Sequence, residues 1–382
     1  MVFEFYLKKD GVMFNYHSIK EVFTPMILRL RCKMISYNLE RNCVRHIKGL
    51  TGKVDIPPLT SEQKKQVYQF YASKGVKLKN TYWHRYYTGV TGKFHVDYVP
   101  LDFFRSDLLF HLNERIQWPS LIDKNLTYHI FSEFLQPKVI CKNVNGFFFI
   151  NNKIKSLEEV IVHLKLIKSD LVIKPTIRTG RGHNVICFKI SSNDFTTYKK
   201  KSIRELLLWF NKDFIIQKRV EQSNVLESLN PTSLNTIRVV SYIHTKEVIL
   251  LSSTLRIGAL NATIDNFSSG GIMCGIKHSG KLRESAHTKS GEIISKSFTN
   301  ISFKDVEIPN YHLVKEMIEG LHKKVPYFKI ISWDIAVNKM EKPVFMEYNT
   351  NYQGIEIQIP NGPLFGDHFD LILEDYQNSK RF

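Results

Sequence analysis

Two acids and an amide stand close together in the stretch SWDIAVNKMEKPVFMEYNTNYQG, Ser332 to Gly354. Asp334 lies inside an apolar run, after Trp333 and before Ile-Ala-Val, while Glu347 and Asn349 follow Val344, Phe345 and Met346. Two strands joined by a turn at Asn338 to Lys342 are the simplest reading. Alternation then sets Glu347 and Asn349 on one face, because residues two apart in a strand point the same way. An acid facing a core is costly unless something pairs with it. A hard cation would do so, since Mg2+ takes carboxylate and amide oxygens beside phosphates. A strand-end aspartate bonding a backbone amide, with a turn-forming asparagine, is the alternative.

A second group of residues could meet an anion. Lys174 closes the apolar run DLVIK and precedes Pro175, so regular pairing is expected to stop there and the ammonium to project from the strand's end. The loop that follows, TIRTGRGHN, brings Gly180, Arg181 and Gly182, with free amides and two arginines suited to covering phosphates. It is no Walker motif, since no GKS or GKT follows, and no dinucleotide fingerprint, since the glycine count is wrong. A glycine-containing hairpin without a ligand reads the same. Arg238 in NTIRV and Arg256 in TLRIG sit in strand-like runs, where a strand-edge ion pair is their ordinary use. No Ser, Cys or His nucleophile motif is visible.

The elements that must hold these groups begin at about Asp123. DKNLTYHIFSEFLQ reads as a helix, and Pro137 opens an extended segment, PKVICKN. A helix is expected from Ser156 to Ile167, then strands around DLVIK and VICFKI, a helix SIRELLLWF and the strand FIIQKRV. Downstream, NTIRVVSYIHT, EVILLSSTLRIG and the pair around Asp334 and Glu347 are strands, with the helix HLVKEMIEGLHKKV between them. This pattern is α+β with antiparallel sheets and no βαβ series. Before Asp123, Ser18 to Lys48 reads as one long or broken helix with basic and apolar positions interleaved. Such a segment can lie on a membrane surface, although packing on its own domain is the commoner use. Thr60 or Ser61 should cap a helix ending at Gly75. TYWHRYYTGVTGKFHVDYVP is rich in rings that could stack on sugars or bases; a hairpin feeding a core is the plainer expectation.

The chain has 382 residues, 43% of them hydrophobic, enough for two or three domains with sizeable cores. No apolar run approaches the roughly 18–20 residues that cross a bilayer, and the start MVFEFYLKKDG lacks a signal-peptide layout. Five scattered cysteines without a CxxC pair argue against a disulfide framework and a structural zinc site. The cytoplasm is the natural compartment, at the inner face of the membrane if the basic helix binds there. Lys and Arg number 54 against 36 acids, a formal charge of +18. The basic residues are spread without a run of five or six and without a zinc finger, which disfavours nucleic acid. An anionic substrate or an anionic surface fits better, beside the plain alternative of a solvated basic exterior.

The order DK–helix, strand-KP–glycine loop, strand-QKRV, then D…E-x-N resembles the ATP-grasp superfamily, over about Asp123 to Asp367. Its sugar-transfer-associated branch, related to α-L-glutamate ligases, is similar in LNPTSLNTIRVVSYI, LRIGALNATIDNFSSGGI and WDIAV…MEYNTN, and YWHRYYTG resembles that branch's N-terminal extension. The resemblance implies two α+β subdomains clamping ATP, behind a mainly helical extension. It divides the chain into residues 1–120, 121–215 with the glycine loop, and 216–382 with the metal site.

By the same resemblance, Lys124 and Lys174 match lysines that neutralise ATP phosphates, and the loop of Gly180, Arg181 and Gly182 closes over the β- and γ-phosphates. Gln217, Lys218 and Val220 match the hinge that reads adenine through its backbone. Asp334, Glu347 and Asn349 match the Mg2+ ligands. Similar D-alanine–D-alanine ligases carry an arginine two residues before the first metal aspartate, where Ser332 stands here. Arg238 and Arg256 are the candidates to take over its catalytic role at the oxyanion. The implied function is an ATP-dependent carboxylate–amine ligase acting through an acyl phosphate. It would join an amine donor to a uronic acid or similar carboxylate on a sugar or glycan in surface-polysaccharide assembly. A phosphotransferase acting on a saccharide and a basic nucleic-acid-binding module are the alternatives.

Overall fold

The computed structural model describes residues 6–9, 12–52, 56–115, 117–177, 184–191, 195–262, 267 and 270–380, with backbone alone for those before residue 30 and for 31 and 32. Residues 180–182 of the glycine loop and part of the 263–269 segment lie outside the described residues.

Two antiparallel sheets carry the molecule. The first has six strands, in the order Lys153–Lys155, Phe147–Ile150, Val139–Val144, Phe214–Lys218, Leu171–Pro175 and Ile186–Phe188. The second has seven, in the order Ile293–Ile294, Leu282–His287, Ile272–Ile276, Glu247–Ile257, Thr236–His244, Ile330–Val337 and Pro343–Asn349. Helices Leu157–Lys165 and Ile203–Phe210 cover the first sheet and share its core of Val160, Leu164, Leu206, Ile173 and Phe214. Each starts where a serine accepts from the third helical amide while a glutamate reaches back, Ser156 with Glu159 and Ser202 with Glu205. Helix Tyr311–Lys324 packs Val314, Ile318 and Leu321 against Trp333, Phe345 and Tyr348 of the second sheet.

The Leu171–Pro175 strand differs from its expected end. Pro175 stays in the ladder opposite Phe214, and Lys174 lies opposite Ile215, buried at 9% exposure. Proline lacks a donor but keeps its carbonyl, so it can close a strand. The helix expected over residues 123–136 is short as well, Lys124–Ile130, capped by Asp123.

The extension is mainly helical, after a two-stranded antiparallel sheet of Tyr6–Lys9 and Val12–Asn15. Tyr16–Thr51 is one unbroken helix of 36 residues, and Ser61–Ser73 follows behind Thr60, whose side chain accepts from Gln63 in a capping box. The aromatic segment forms a helix, Tyr82–Thr91, and no hairpin; Gly92 ends it at φ 68°. Trp83, Tyr86 and Tyr87 are fully buried among Tyr71, Tyr98 and Phe104. Their spacing of three and four is helical, and they serve as core, so no ring of this trio is available to stack on a sugar. The same core takes in the C-terminal helix Phe369–Ser379 and Val240, Tyr242 and Met273 from the second sheet. The extension therefore covers part of the sheet face that also carries Asp334.

Candidate active site

Register builds the site. Asp334 faces Glu347 across one strand pair and Arg238 across the other, and Ser332 faces Asn349. Arg238 in turn lies opposite Thr254, and Arg256 opposite Thr236. Strand alternation therefore places Asp334, Glu347, Asn349, Arg238 and Arg256 on one face, with Trp333 and Tyr348 stacked on the other. The turn at residues 338–342 is closed by Asn338 N–H donating to Lys342 O, with Glu341 at φ 57°.

The buried acid is paired by two arginines. Arg238 donates to both Asp334 oxygens, at 2.5 and 2.7 Å, and Arg256 Nη1 lies 3.3 and 3.4 Å from the same pair. Burial would raise the Asp334 carboxyl, but Arg238 and then Arg256 outweigh it and hold it below the usual carboxylate range. Both arginines stand on strands with neighbours on each side, so the strand-edge reading is corrected: these pairs lie in the sheet's interior.

Lys174 enters from the first sheet and Lys124 from the start of the helix Lys124–Ile130. Lys124 N–H donates to Thr176 O, which fastens the start of its helix to the end of the Lys174 strand. Tyr348 Oη donates to Leu121 O and holds the preceding turn against the second sheet. Lys124 Nζ then stands 3.6 Å from Glu347 Oε2, whose side chain is 42% exposed. Burial, and after it the Lys124 charge, pull the Lys174 ammonium down to about 8, against Glu347 and Asp334, which pull it up. Residues 124, 174, 334 and 347 thus converge from three separate parts of the chain. Gly180, Arg181 and Gly182 lie outside the described residues.

Lys218 and Val220, expected hinge residues, line a cleft of about 360 Å³ with Asp170, Lys189, Arg219 and Lys339. Gln217 is buried at the centre of the first sheet, opposite Val139 and Val172, and its side chain donates to Pro137 O. The Lys218 and Arg219 amides already donate to Lys138 O and Asp170 O. Lys218, in the expected hinge, and Lys174 occupy opposite ends of one strand pair, since Lys218 faces Leu171 and Lys174 faces Ile215. Three residues at about 3.3 Å each separate them by roughly 10 Å.

Other groups at the site carried no readable pattern in sequence. Ser332 Oγ donates to Gln353 Oε1 at 2.5 Å, and the Gln353 amide donates to Ile330 O and Thr350 O. Arg105 of the extension donates to the carbonyls of Gln353 and Tyr352, and Asn113 to those of Ile330 and Thr350. The segment after Asn349 is therefore pinned from the extension. Glu356 folds its carboxylate over Gly354, where a Cβ would collide with it. Burial raises that carboxyl, but Arg105, its own amide, Lys289 and Arg238 together hold it below the usual range. Asn351 is 2% exposed, and both polar atoms of its side-chain amide are buried without a hydrogen-bond partner. The polar run NTNYQG was the one available hint.

Among the described residues no three His, Cys, Asp or Glu side chains gather as a metal cluster. The set at hand is two carboxylates on directly opposed strand positions and an amide two residues on. These are hard oxygen donors on one face, one of them open to solvent, and they fit Mg2+ rather than a thiolate- or imidazole-seeking metal.

Residues 103–368 match the family described as sugar-transfer-associated ATP-grasp, and the chain belongs to that family. Its two antiparallel α+β halves are the ATP-grasp fold, and the mainly helical extension precedes them. No curated protein matches the sequence. Among solved structures, an L-amino acid ligase from Bacillus licheniformis is similar at 10% identity, over 69% of this chain and 50% of that one, with a TM-score of 0.40. A 2-oxoglutarate carboxylase biotin carboxylase domain from Hydrogenobacter thermophilus, solved with MgADP, is similar at 12% identity, 70% and 48% coverage and TM-score 0.41. A D-alanine–D-alanine ligase from Bacillus anthracis gives 14%, 68%, 67% and 0.37. The chain spans about half the length of the first two.

Proposed function

We propose that the protein is an ATP-dependent carboxylate–amine ligase that forms an amide on a uronic acid or similar carboxylate of a surface-polysaccharide precursor. The observation carrying this reading is that Lys124 Nζ stands 3.6 Å from Glu347, and that Lys124, Glu347 and Asp334 all act electrostatically on buried Lys174. Residues 121–215 and 216–382 would form its two nucleotide-clamping parts, behind an extension over residues 1–120.

In this reading Lys124 and Lys174 meet the phosphates, the loop of Gly180, Arg181 and Gly182 covers them, and Gln217, Lys218 and Val220 hold the adenine. The roughly 10 Å between hinge and lysines matches the span of a nucleoside. Asp334, Glu347 and Asn349 would hold Mg2+, which supplies positive charge beside the phosphates being broken apart. A substrate carboxylate attacks the γ-phosphate, giving an acyl phosphate and ADP. The amine nitrogen then attacks the acyl carbon, the C–O bond to phosphate breaks, and the amine loses a proton. Arg238 and Arg256, already fixed by Asp334, would face the developing oxyanion without having to reorganise. The family's sugar-transfer association and the charge of +18 support an acidic saccharide as the carboxylate partner.

The test is phosphate release from ATP with glucuronate or galacturonate acceptors and pooled amino acids. Release that needs acceptor and amine together supports the ligase. ADP formed with acceptor alone, without phosphate release and with the phosphoryl group on the saccharide, makes it a phosphotransferase.

A further inference from the structure

We propose that the outward face of residues 30–48 in the Tyr16–Thr51 helix is a docking surface for an anionic phospholipid bilayer. Leu30, Met34 and Tyr37 are exposed at 51%, 65% and 61%. Their spacing of four and three puts them on one stripe of the helix. The opposite side fastens the helix to the body: Cys43 and Ile47 are buried in the extension's core, and Ser36 Oγ donates to Ser106 O. The stripe continues toward the C-terminal end in exposed Arg41, Arg45 and Lys48, with Lys33 at its border. Advancing about 100° per residue, Arg41 and Lys48 fall within roughly 20° of Leu30. One face thus runs from three large apolar side chains into a row of cations.

Charge and polarity together select the partner. The helix sequence holds seven Lys and Arg against two acids, Glu21 and Glu40, and Glu40 is already paired with Lys79. A second copy of the helix would bring like charges together. A polyanion in water would neutralise the arginines but leave Leu30, Met34 and Tyr37 wet. The interface of an anionic bilayer satisfies both, taking the apolar groups below the headgroups and the cations at their phosphates. No described helix is long and apolar enough to cross a membrane, so the contact would be peripheral. This inference is independent of the ligase reading.

The test is co-sedimentation of the full chain with phosphatidylcholine vesicles, with and without about one-third phosphatidylglycerol, at roughly 0.1 M salt. Binding to the anionic vesicles should exceed binding to the neutral ones by about tenfold or more. The triple variant Leu30→Ser, Met34→Ser, Tyr37→Ser should lose about tenfold in anionic-vesicle binding at unchanged melting temperature, and so should Arg41→Glu with Arg45→Glu. Equal or absent binding to the two vesicles overturns the proposal. Undiminished binding by the triple variant overturns it too, and points to a soluble polyanion. A dimer in sedimentation equilibrium that the triple variant abolishes assigns the face to a second copy instead.

Discussion

Replacing Lys174 by methionine should stabilise the protein alone and cripple its response to nucleotide. The ammonium is buried at 9% exposure, and burial with the nearby Lys124 charge brings it from 10.5 to about 8. At about 1.4 kcal/mol per pH unit, keeping it charged costs roughly 3 kcal/mol at neutral pH. The folded value lies below the unfolded one, so this penalty is complete below pH 8 and fades as pH rises from 8 to 10.5. Methionine keeps the apolar stem and removes the charge, so its melting temperature without nucleotide should rise by a few degrees, and the wild-type gain above pH 8 should shrink. Toward MgATP the sign reverses. A charge-assisted bond worth about 1.5–3 kcal/mol is lost, weakening binding roughly 10- to 150-fold. Thermal unfolding at pH 7 and 9.5, with and without MgATP, reads both effects. A variant that melts lower than wild type alone, yet keeps the full MgATP shift, would refute the reasoning.

Glu347→Gln should leave melting unchanged, because the side chain is 42% exposed, while lowering turnover by two or more orders of magnitude through misplaced metal and phosphate; near-normal turnover at limiting Mg2+ would remove Glu347 from the ligand set. Arg238→Met leaves buried Asp334 with Arg256 alone and should cost about 3 kcal/mol or more; adding Asp334→Asn should recover part of that loss, and chemical denaturation will show whether the two effects are coupled. His84 and His322 are both brought to about 4, chiefly by burial. Their folded values lie below the ordinary 6.5, so each contributes stability above pH 6.5 that is lost toward pH 4, up to roughly 3 kcal/mol apiece; a flat melting temperature between pH 6.5 and 4.5 would contradict this. Gly89→Ala would drive its Cβ into Ile56 Cγ2 and should lower stability by about 1–3 kcal/mol, measurable in urea.

The strand pair around Asp334 and Glu347 was legible because two apolar runs flank a turn of Asn and Lys, and strand alternation alone decides the faces. Lys174 was legible as a strand-end residue, although its pairing through Pro175 was not, since a proline that keeps only its carbonyl looks like a strand breaker. The arginine pairing of Asp334 was hidden for a different reason. Residues 238, 256 and 334 meet only through sheet order, and no local spacing encodes which strand lies beside which. The Tyr82–Thr91 helix was misread because rings and glycines outweigh a helical spacing visible only once Trp83, Tyr86 and Tyr87 share a core. Glu356 and Asn351 stand in an irregular segment whose shape depends on Arg105 and Asn113 from far upstream, beyond any local rule.

The central claim is the acyl-phosphate chemistry, and oxygen transfer tests it most directly. A uronate acceptor identified by the phosphate-release screen, carrying 18O in its carboxylate, would be incubated with its amine partner, ATP and Mg2+. One labelled oxygen should appear in inorganic phosphate for every amide formed, because the carboxylate oxygen that attacks the γ-phosphate leaves with it. Unlabelled phosphate, with all 18O retained in the product and unreacted acceptor, would contradict the ligase mechanism.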